Sequence, residues 1–184
     1  DSRMVRDGYK LLEELGAVSA AGKLTDVGAR MSRLPVDPRL ARMVLAAAEQ
    51  GCLQEILIIT SALTAQDPRE RPVDRQQQAD QMHARFIHPR SDFMAWLNLW
   101  QYYEEQRPAL SQNQLRKLCQ REFLSFLRLR EWRDIHTQLS IACRQQKLAS
   151  LHSPPQEENY QGIHIALLSG LLGNIAQHDE GRDY

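Results

Sequence analysis

The chain has 184 residues, enough for one medium-sized domain or two small ones with a buried core. Its 23 basic and 23 acidic residues balance to a formal net charge of zero, which excludes a polybasic tail and an acidic disordered chain. Glycine occurs 9 times and proline 8 times, too rarely for a low-complexity or fibrous protein, and the many Gln, Arg, Leu and Ala residues favour helices.

The first fifty residues predict three short helices and one hairpin. A stripe of leucines stops at Gly16, which indicates the end of a first helix. The small residues of 17–24 fit a hairpin of two very short strands. Thr25 is a suitable N-cap for a second helix, and Asp37, followed by a proline, is suitable for a third. This order of elements predicts a winged-helix-like domain over residues 1–50.

The remainder of the chain, residues 51–184, predicts a helical bundle. Gly170 and Gly173 in its last helix would let a neighbouring helix approach closely. The predicted helices are 53–64, 76–86, one that Ser91 or Asp92 caps and Pro108 ends, one that opens with a capping box of Ser111 and Gln114, one with Trp132, Ile135, Leu139 and Cys143 on its buried stripe, and 160–175. We therefore expect a mainly α protein with at most a short hairpin.

The sequence contains no recognisable catalytic motif. A phosphate-binding loop, an Asp-Glu-Ala-His box, HExxH and GxSxG are all absent from it. His83 and His88 are spaced so that they do not share a helix face, which argues against a metal site. Cys143, one of three scattered cysteines, fits a buried structural thiol, and the absence of CxxC favours a reducing, cytoplasmic environment. The longest apolar run, 56–59, is far too short to cross a membrane.

A cluster of aromatic residues admits two interpretations. Phe93, Trp96 and Trp100 stand at i, i+3 and i+7, a spacing that favours the core of a helical protein over stacking on nucleobases. Tyr102 and Tyr103 remain open to either interpretation.

Charge is unevenly distributed along the chain. Residues 112–150 hold eight basic and three acidic residues, an excess of +5 within a neutral chain. Such a cluster attracts phosphate groups, whereas the alternative is a solvated face on which arginine stems cover apolar surface. The charge count does not decide between the two. The basic residues are Arg116, Lys117, Arg121, Arg128, Arg130, Arg133, Arg144 and Lys147.

Five long segments, in this order, identify a family. They are LGAVSAAGKLTDVGARMSRLPVDPRLARMVL (15–45), ITSALTAQDPRERP (59–72), ARFIHPRSDFMAWLNLWQYY (84–103), LREWRDIHTQL (129–139) and NYQGIHIALLSGLLGNIAQHD (159–179). Together they resemble the C-terminal accessory region of DEAH-box ATP-dependent RNA helicases, with the closest likeness to the bacterial HrpA type. The resemblance covers nearly the whole chain.

The resemblance implies a domain order and a function. In this family two RecA-like motor domains precede a winged helix, a ratchet-like helical bundle and an OB-fold, so the chain would comprise the winged helix and the bundle and end before the OB-fold. It would be a non-catalytic module with no cofactor of its own, while ATP and Mg²⁺ bind the motor domains of the parent helicase. Its expected partners are single-stranded RNA, whose channel it helps to form, and the motor domains and OB-fold of the same polypeptide; no membrane is expected.

The resemblance also assigns candidate residues. Because the winged helix of the family packs against the motor, Arg30, Arg39 and Arg42 become candidates for interdomain contacts. Phe86, His88, Ser91 and Asp92 lie in a segment similar to the family's, although cap preference favours a structural role for the last two. The candidates for contact with the RNA strand are Arg116, Lys117, Arg121, Arg128, Arg130 and Arg133.

Two other functions compete with this one. A free-standing winged-helix regulator of nucleic acids needs a basic recognition helix, but the third predicted helix offers only Arg39 and Arg42 against Asp37 and Glu49. A helical bundle that binds only proteins would have no affinity for polyanions, even at low salt.

Overall fold

The computed structural model describes residues 2–148 and 159–174. Within these residues the chain forms nine α-helices and no strand, which confirms the mainly α class. Short 3-10 turns lie at Val73–Arg75, Ala84–Phe86, Arg107–Ala109 and Leu172–Asn174. The helices are α1 (Ser2–Glu14), α2 (Asp26–Met31), α3 (Pro38–Gln50), α4 (Leu53–Thr64), α5 (Gln76–His83), α6 (Asp92–Gln106), α7 (Gln112–Arg121), α8 (Phe126–Gln145) and α9 (Tyr160–Gly170).

The winged-helix-like part follows its local signals. Gly16 adopts a left-handed conformation with φ of 71° just after α1. Thr25 caps α2, because its hydroxyl accepts a hydrogen bond from the Gly28 amide at 3.0 Å. The predicted pair of strands is smaller than expected: one antiparallel bridge joins Val18 to Leu24, since the small residues between them leave no length for a ladder.

Helix α4 forms the centre of the core. Nine of its twelve residues are buried, and most of these nine are apolar. Helices α3, α6, α8 and α9 all pack against it. Helix α3 begins directly after Asp37, and α4 has the predicted bounds of 53–64. No helix in the described part of the chain is long and apolar enough to cross a membrane.

Helices α3 and α9 approach each other closely at Gly170. A methyl group there would collide with the carbonyl oxygen of Arg39 in α3, so only glycine fits without a shift of backbone. This confirms the predicted function of Gly170, whereas at Gly173 the nearest atom, an Oε2 of Glu14, lies 3.7 Å from the position of a Cβ, which is ordinary contact. Helix α9 ends at Gly170, earlier than the predicted end at 175. Residue 175 itself and the segment 150–155, whose serines and prolines predict turns, lie outside the described residues.

Trp132 of α8 joins α4 to α6. Its indole nitrogen donates to the carbonyl oxygen of Ile58 and to the hydroxyl of Ser61, both at 3.0 Å. Trp96 and Trp100 pack edge-on against its ring, with centroids at 5.7 and 5.0 Å. These two tryptophans, like Phe93, pack against the core as predicted but are only partly buried; Trp132 is the buried one, at 1% exposure.

Main-chain hydrogen bonds join the loop after α4 to the turn between α7 and α8. The Glu70 amide donates to the carbonyl oxygen of Phe123 at 2.8 Å, and the Ser125 amide donates to that of Pro68 at 2.7 Å. Arg69 and Leu124 form an isolated bridge between these hydrogen bonds. The sequence predicts a loop here but not its attachment, which links segments more than fifty residues apart.

The cap at the start of α6 differs from the prediction. Ser91 occupies the N-cap position, but its side chain accepts no capping hydrogen bond. Its hydroxyl lies 2.7 Å from Nε2 of His164 in α9 instead. Ser91 therefore connects α6 to α9, while the capping box of Ser111 and Gln114 at the start of α7 forms as predicted.

Candidate nucleic-acid and interdomain surfaces

Two arginines of the basic segment converge on one aromatic ring. The guanidinium carbons of Arg116 in α7 and Arg130 in α8 lie 5.4 and 6.0 Å from the ring centroid of Phe126. Both arginines are exposed, and within the described residues neither forms an ion pair with a carboxylate. Both guanidinium groups lie within cation–π distance of the same ring, and their exposure leaves N–H donors accessible to solvent.

Lys117 and Arg121 extend this positive charge along α7. Both side chains are exposed and stand one helical turn apart. Arg121 is 71% exposed, and one of its nitrogens lies 3.7 Å from Oε1 of Glu122, a weak pairing at the surface. We call the exposed group of Arg116, Lys117, Arg121 and Arg130 the basic face.

The two remaining candidates for RNA contact hold the bundle together. A terminal nitrogen of Arg128 donates to the carbonyl oxygen of Asp67 at 3.0 Å, which secures the loop after α4. Nε of Arg133 lies 2.6 Å from Oε1 of Glu104 in α6, and both side chains are about one-third exposed. Contact of these six residues with RNA stays a prediction, but the geometry gives Arg128 and Arg133 internal partners.

Glu122, which follows the last residue of α7, binds two side chains from other parts of the chain. Its carboxylate is nearly buried, and Oε2 accepts hydrogen bonds from Arg85 and, at 2.6 Å, from the hydroxyl of Tyr102. Burial, and then the hydrogen bond to this carboxylate, raise the pKa of Tyr102 to about 12. The Arg85 guanidinium lies over the rings of Tyr102 and Phe86, at 4.2 and 4.7 Å from their centroids.

This cluster was missed by the sequence reasoning. The sequence does not decide between core packing and base stacking for Tyr102, and its hydroxyl donates to Glu122. Neither Arg85 nor Glu122 was a candidate. The only available signal was that a carboxylate stands alone in a run of basic residues, which does not reveal a partner 37 positions away.

The segment around His88 meets the start of α9. The rings of His88 and Tyr160 are stacked with centroids 5.8 Å apart, and the Arg90 guanidinium lies 4.3 Å from the Tyr160 centroid. The ring of His164 also stacks with that of Tyr160, with centroids 4.0 Å apart. These contacts connect segment 84–103 to segment 159–179, two of the five that carry the resemblance.

Among the described residues no group of three or more His, Cys, Asp or Glu side chains could hold a metal ion.

His136 and Cys143 show no catalytic activation. Burial lowers the pKa of His136 to about 4, so the ring is neutral near pH 7, and it packs 4.6 Å from the ring of Trp100. Burial raises the pKa of the Cys143 thiol to about 12, and the side chain is fully buried, as predicted for a structural thiol.

The candidate interdomain arginines lie on two different helices, α2 and α3. Arg30 is exposed near the end of α2. Arg39 and Arg42 lie half-buried on α3 beside α9: a nitrogen of Arg39 lies 3.4 Å from the Gly170 carbonyl oxygen, and the Ser169 hydroxyl donates to the Arg42 carbonyl oxygen at 3.4 Å. Interdomain contact by these three residues stays a prediction.

Comparison with known families gives two adjoining matches. Residues 9–36 match the family described as helicase associated domain (HA2), winged-helix, and residues 37–96 match helicase associated domain (HA2), ratchet-like. The two matches meet at the start of α3. The predicted division of the chain at residues 50 and 51 stays a prediction.

Individual relatives match over nearly the whole chain. The ATP-dependent RNA helicase HrpA of Escherichia coli (strain K12) is 52% identical over 184 residues, which cover 97% of this chain and 14% of the relative. The ATP-dependent RNA helicase HrpA homolog of Haemophilus influenzae is 50% identical over 182 residues, which cover 95% of this chain and again 14% of the relative. The chain thus spans about one-seventh of the length of these relatives. Over residues 9–96 it thus matches the winged-helix and ratchet-like helicase-associated domains, and over nearly its whole length it is similar to a C-terminal region of the DEAH-box helicase HrpA.

Proposed function

We propose that the chain is a non-catalytic accessory module of an ATP-dependent RNA helicase. In this proposal it helps to form the channel for single-stranded RNA and couples that channel to the motor domains. The two helicase-associated domains and the 52% identity to a protein named as an ATP-dependent RNA helicase support the proposal. ATP and Mg²⁺ would bind the motor domains, and the buried, unpaired cysteines fit action in the cytoplasm.

The observation that carries the RNA contact is the convergence of Arg116 and Arg130 on Phe126. Each of the two guanidinium groups near this ring can donate two N–H hydrogen bonds to phosphate oxygens. Lys117 and Arg121 extend the positive charge along α7. Such contacts follow the backbone of a strand without reading its bases. We therefore propose binding that tolerates any sequence and weakens with salt.

An RNA titration with matched variants tests this proposal. We expect the chain to bind single-stranded oligonucleotides with a Kd of about 10⁻⁵ M at low salt, as for non-specific phosphate contacts. Loss of both arginines, in Arg116→Ala with Arg130→Ala, should weaken binding and reduce the slope of log K against log salt by about 1.4, because each phosphate contact on a single strand contributes about 0.7.

The control removes the same charge from another surface. Arg6→Ala with Lys10→Ala takes two exposed cations from α1 and should leave the salt slope unchanged. Absence of binding at low salt would contradict the RNA contact and favour a bundle that binds only proteins. Equal losses in the two double variants would show that net charge, not the basic face, governs binding.

The structure disfavours the free-standing winged-helix regulator. Arg39 and Arg42, the only cations of α3, lie half-buried beside α9, so this helix does not present a basic side to a DNA groove. The module proposal also predicts no ATP hydrolysis by the chain alone, with or without RNA. Phosphate release by the purified chain would refute it.

A further inference from the structure

Two side-chain amides lie among the cations of α7. Asn113 and Gln120 are both exposed, and they stand seven residues apart on the same side of the helix as Arg116 and Lys117. Within the described part of the chain neither amide group forms a hydrogen bond. Both amides are therefore open to a ligand that the basic face binds.

The order of groups along α7 matches the order of groups along a nucleic-acid strand. At 1.5 Å per residue the two amides lie about 10 Å apart along the helix axis, and Arg116 and Lys117 lie between them. Phosphates and sugars alternate along a strand in the same way. A strand that places its phosphates at the cations thus brings its sugars towards the amides.

The amides supply a hydrogen-bonding group that the cations lack. Arginine and lysine side chains only donate hydrogen bonds, whereas the oxygen of a side-chain amide accepts them. Helix α7 contains no Asp or Glu, and a carboxylate there would repel the phosphates of a strand. A neutral amide is thus the acceptor that suits a surface for polyanions.

We propose that Asn113 and Gln120 make the basic face selective for RNA over DNA, because their amide oxygens accept hydrogen bonds from the 2′-hydroxyl groups of the ribose. Phosphates are common to both nucleic acids, so the cations alone do not distinguish them, and the 2′-hydroxyl is the group by which a protein recognises RNA. The selectivity rests on the proposed function, in which the basic face binds a single strand, and it assigns the residues that recognise the sugar.

Titrations with three strands of equal length and base sequence test this selectivity. The strands are oligouridylate, oligodeoxyuridylate and a 2′-fluoro form, which keeps the sugar conformation of RNA but has no hydroxyl proton. We expect the chain to bind the RNA about tenfold more tightly than the other two strands at low salt, which is the effect of two hydrogen bonds of modest net strength.

The double variant Asn113→Ala with Gln120→Ala should lose this preference. We expect it to bind the RNA about tenfold more weakly and the DNA as before. The slope of log K against log salt for the RNA should stay unchanged, because no charge is removed.

The matched control removes two amides at the same spacing from another helix. Gln138 and Gln145 are exposed and stand seven residues apart on α8, and Gln138→Ala with Gln145→Ala should keep the preference for RNA. Alanine favours the helix at each of these four positions, and far-UV circular dichroism checks that the fold is retained.

Each other outcome overturns the selectivity. Equal binding of RNA and DNA by the parent chain would mean that the basic face contacts phosphate alone, and it would leave the proposed function intact. A preference for RNA that survives the loss of both amides would place the recognition elsewhere, and equal weakening of RNA and DNA would show a general contribution to affinity. Binding of the 2′-fluoro strand as tightly as RNA would assign the preference to sugar conformation. Absence of binding to every strand would refute the RNA contact together with its selectivity.

Discussion

Replacing Gly170 with alanine would set helix propensity against packing. Alanine is favoured over glycine within a helix by up to about 1 kcal/mol, and by less at the last residue of α9. The added methyl group would meet the main-chain oxygen of Arg39 and lie 2.8 Å from two side-chain carbons of Met43. That oxygen belongs to α3 and yields only if the helices separate, an overpacking that costs about 1–3 kcal/mol.

The cost of overpacking should therefore exceed the gain in helix propensity. We expect Gly170→Ala to lower the free energy of unfolding by about 1–2 kcal/mol, and the thermal midpoint of a chain of this size by roughly 2–8 °C. Urea unfolding followed by far-UV circular dichroism measures the first quantity, and a thermal scan measures the second.

Gly162 provides the same substitution in the same helix. The three atoms nearest to a methyl group there all belong to the side-chain amide of Asn159, which can rotate away. We expect Gly162→Ala to stay within about 0.5 kcal/mol of the parent chain, since the gain in helix propensity offsets a displaced amide. If the two variants prove equally stable, the close approach of α3 to α9 does not determine the packing of these helices.

Three further predictions concern buried groups. Trp132→Phe should cost about 2–3 kcal/mol in urea unfolding, because it removes an indole donor and leaves a cavity, whereas Trp96→Phe at a half-exposed site should cost under about 1 kcal/mol. Burial lowers the pKa of His136 from 6.5 to about 4, so the unfolded chain takes up a proton first, and stability should fall as the pH drops from 6.5 towards 4; His136→Gln, compared over the same range, should show a shallower fall. Burial raises the pKa values of all three thiols, and none should react with a disulfide reagent at pH 8 until the chain is unfolded; rapid labelling of the native chain would contradict the burial of Cys52, Cys119 and Cys143.

Local signals in the sequence were sufficient for most helix boundaries. Thr25, Asp37 and the pair Ser111 and Gln114 cap their helices as predicted, because a cap depends only on the next few residues. Ser91 has the same preference, but its hydroxyl lies near His164, 73 positions away. A long-range contact of this kind leaves no trace in local composition.

A count of charges in the basic segment 112–150 does not reveal which arginines have partners within the fold. The sequence shows the excess of positive charge over 112–150, but charge alone does not distinguish Arg116 from Arg133. The structure separates them, because Arg133 meets Glu104 of α6 while Arg116 lies over Phe126 at the surface. Which arginine is committed to the fold depends on helix packing, and helix packing is set by contacts such as that of Trp132 with α4.

The hydrogen bonds of the turn between α7 and α8 determine how a force on α7 would reach the rest of the bundle. Main-chain hydrogen bonds join Phe123 and Ser125 to the loop that leaves α4, and Glu122 anchors the same turn to Arg85 and Tyr102. If bound RNA pulled on α7, as the proposed function implies, these hydrogen bonds would pass the force to the loop at the end of α4. Under the proposed function, a force on the basic face would therefore displace α7 and the end of α4 together.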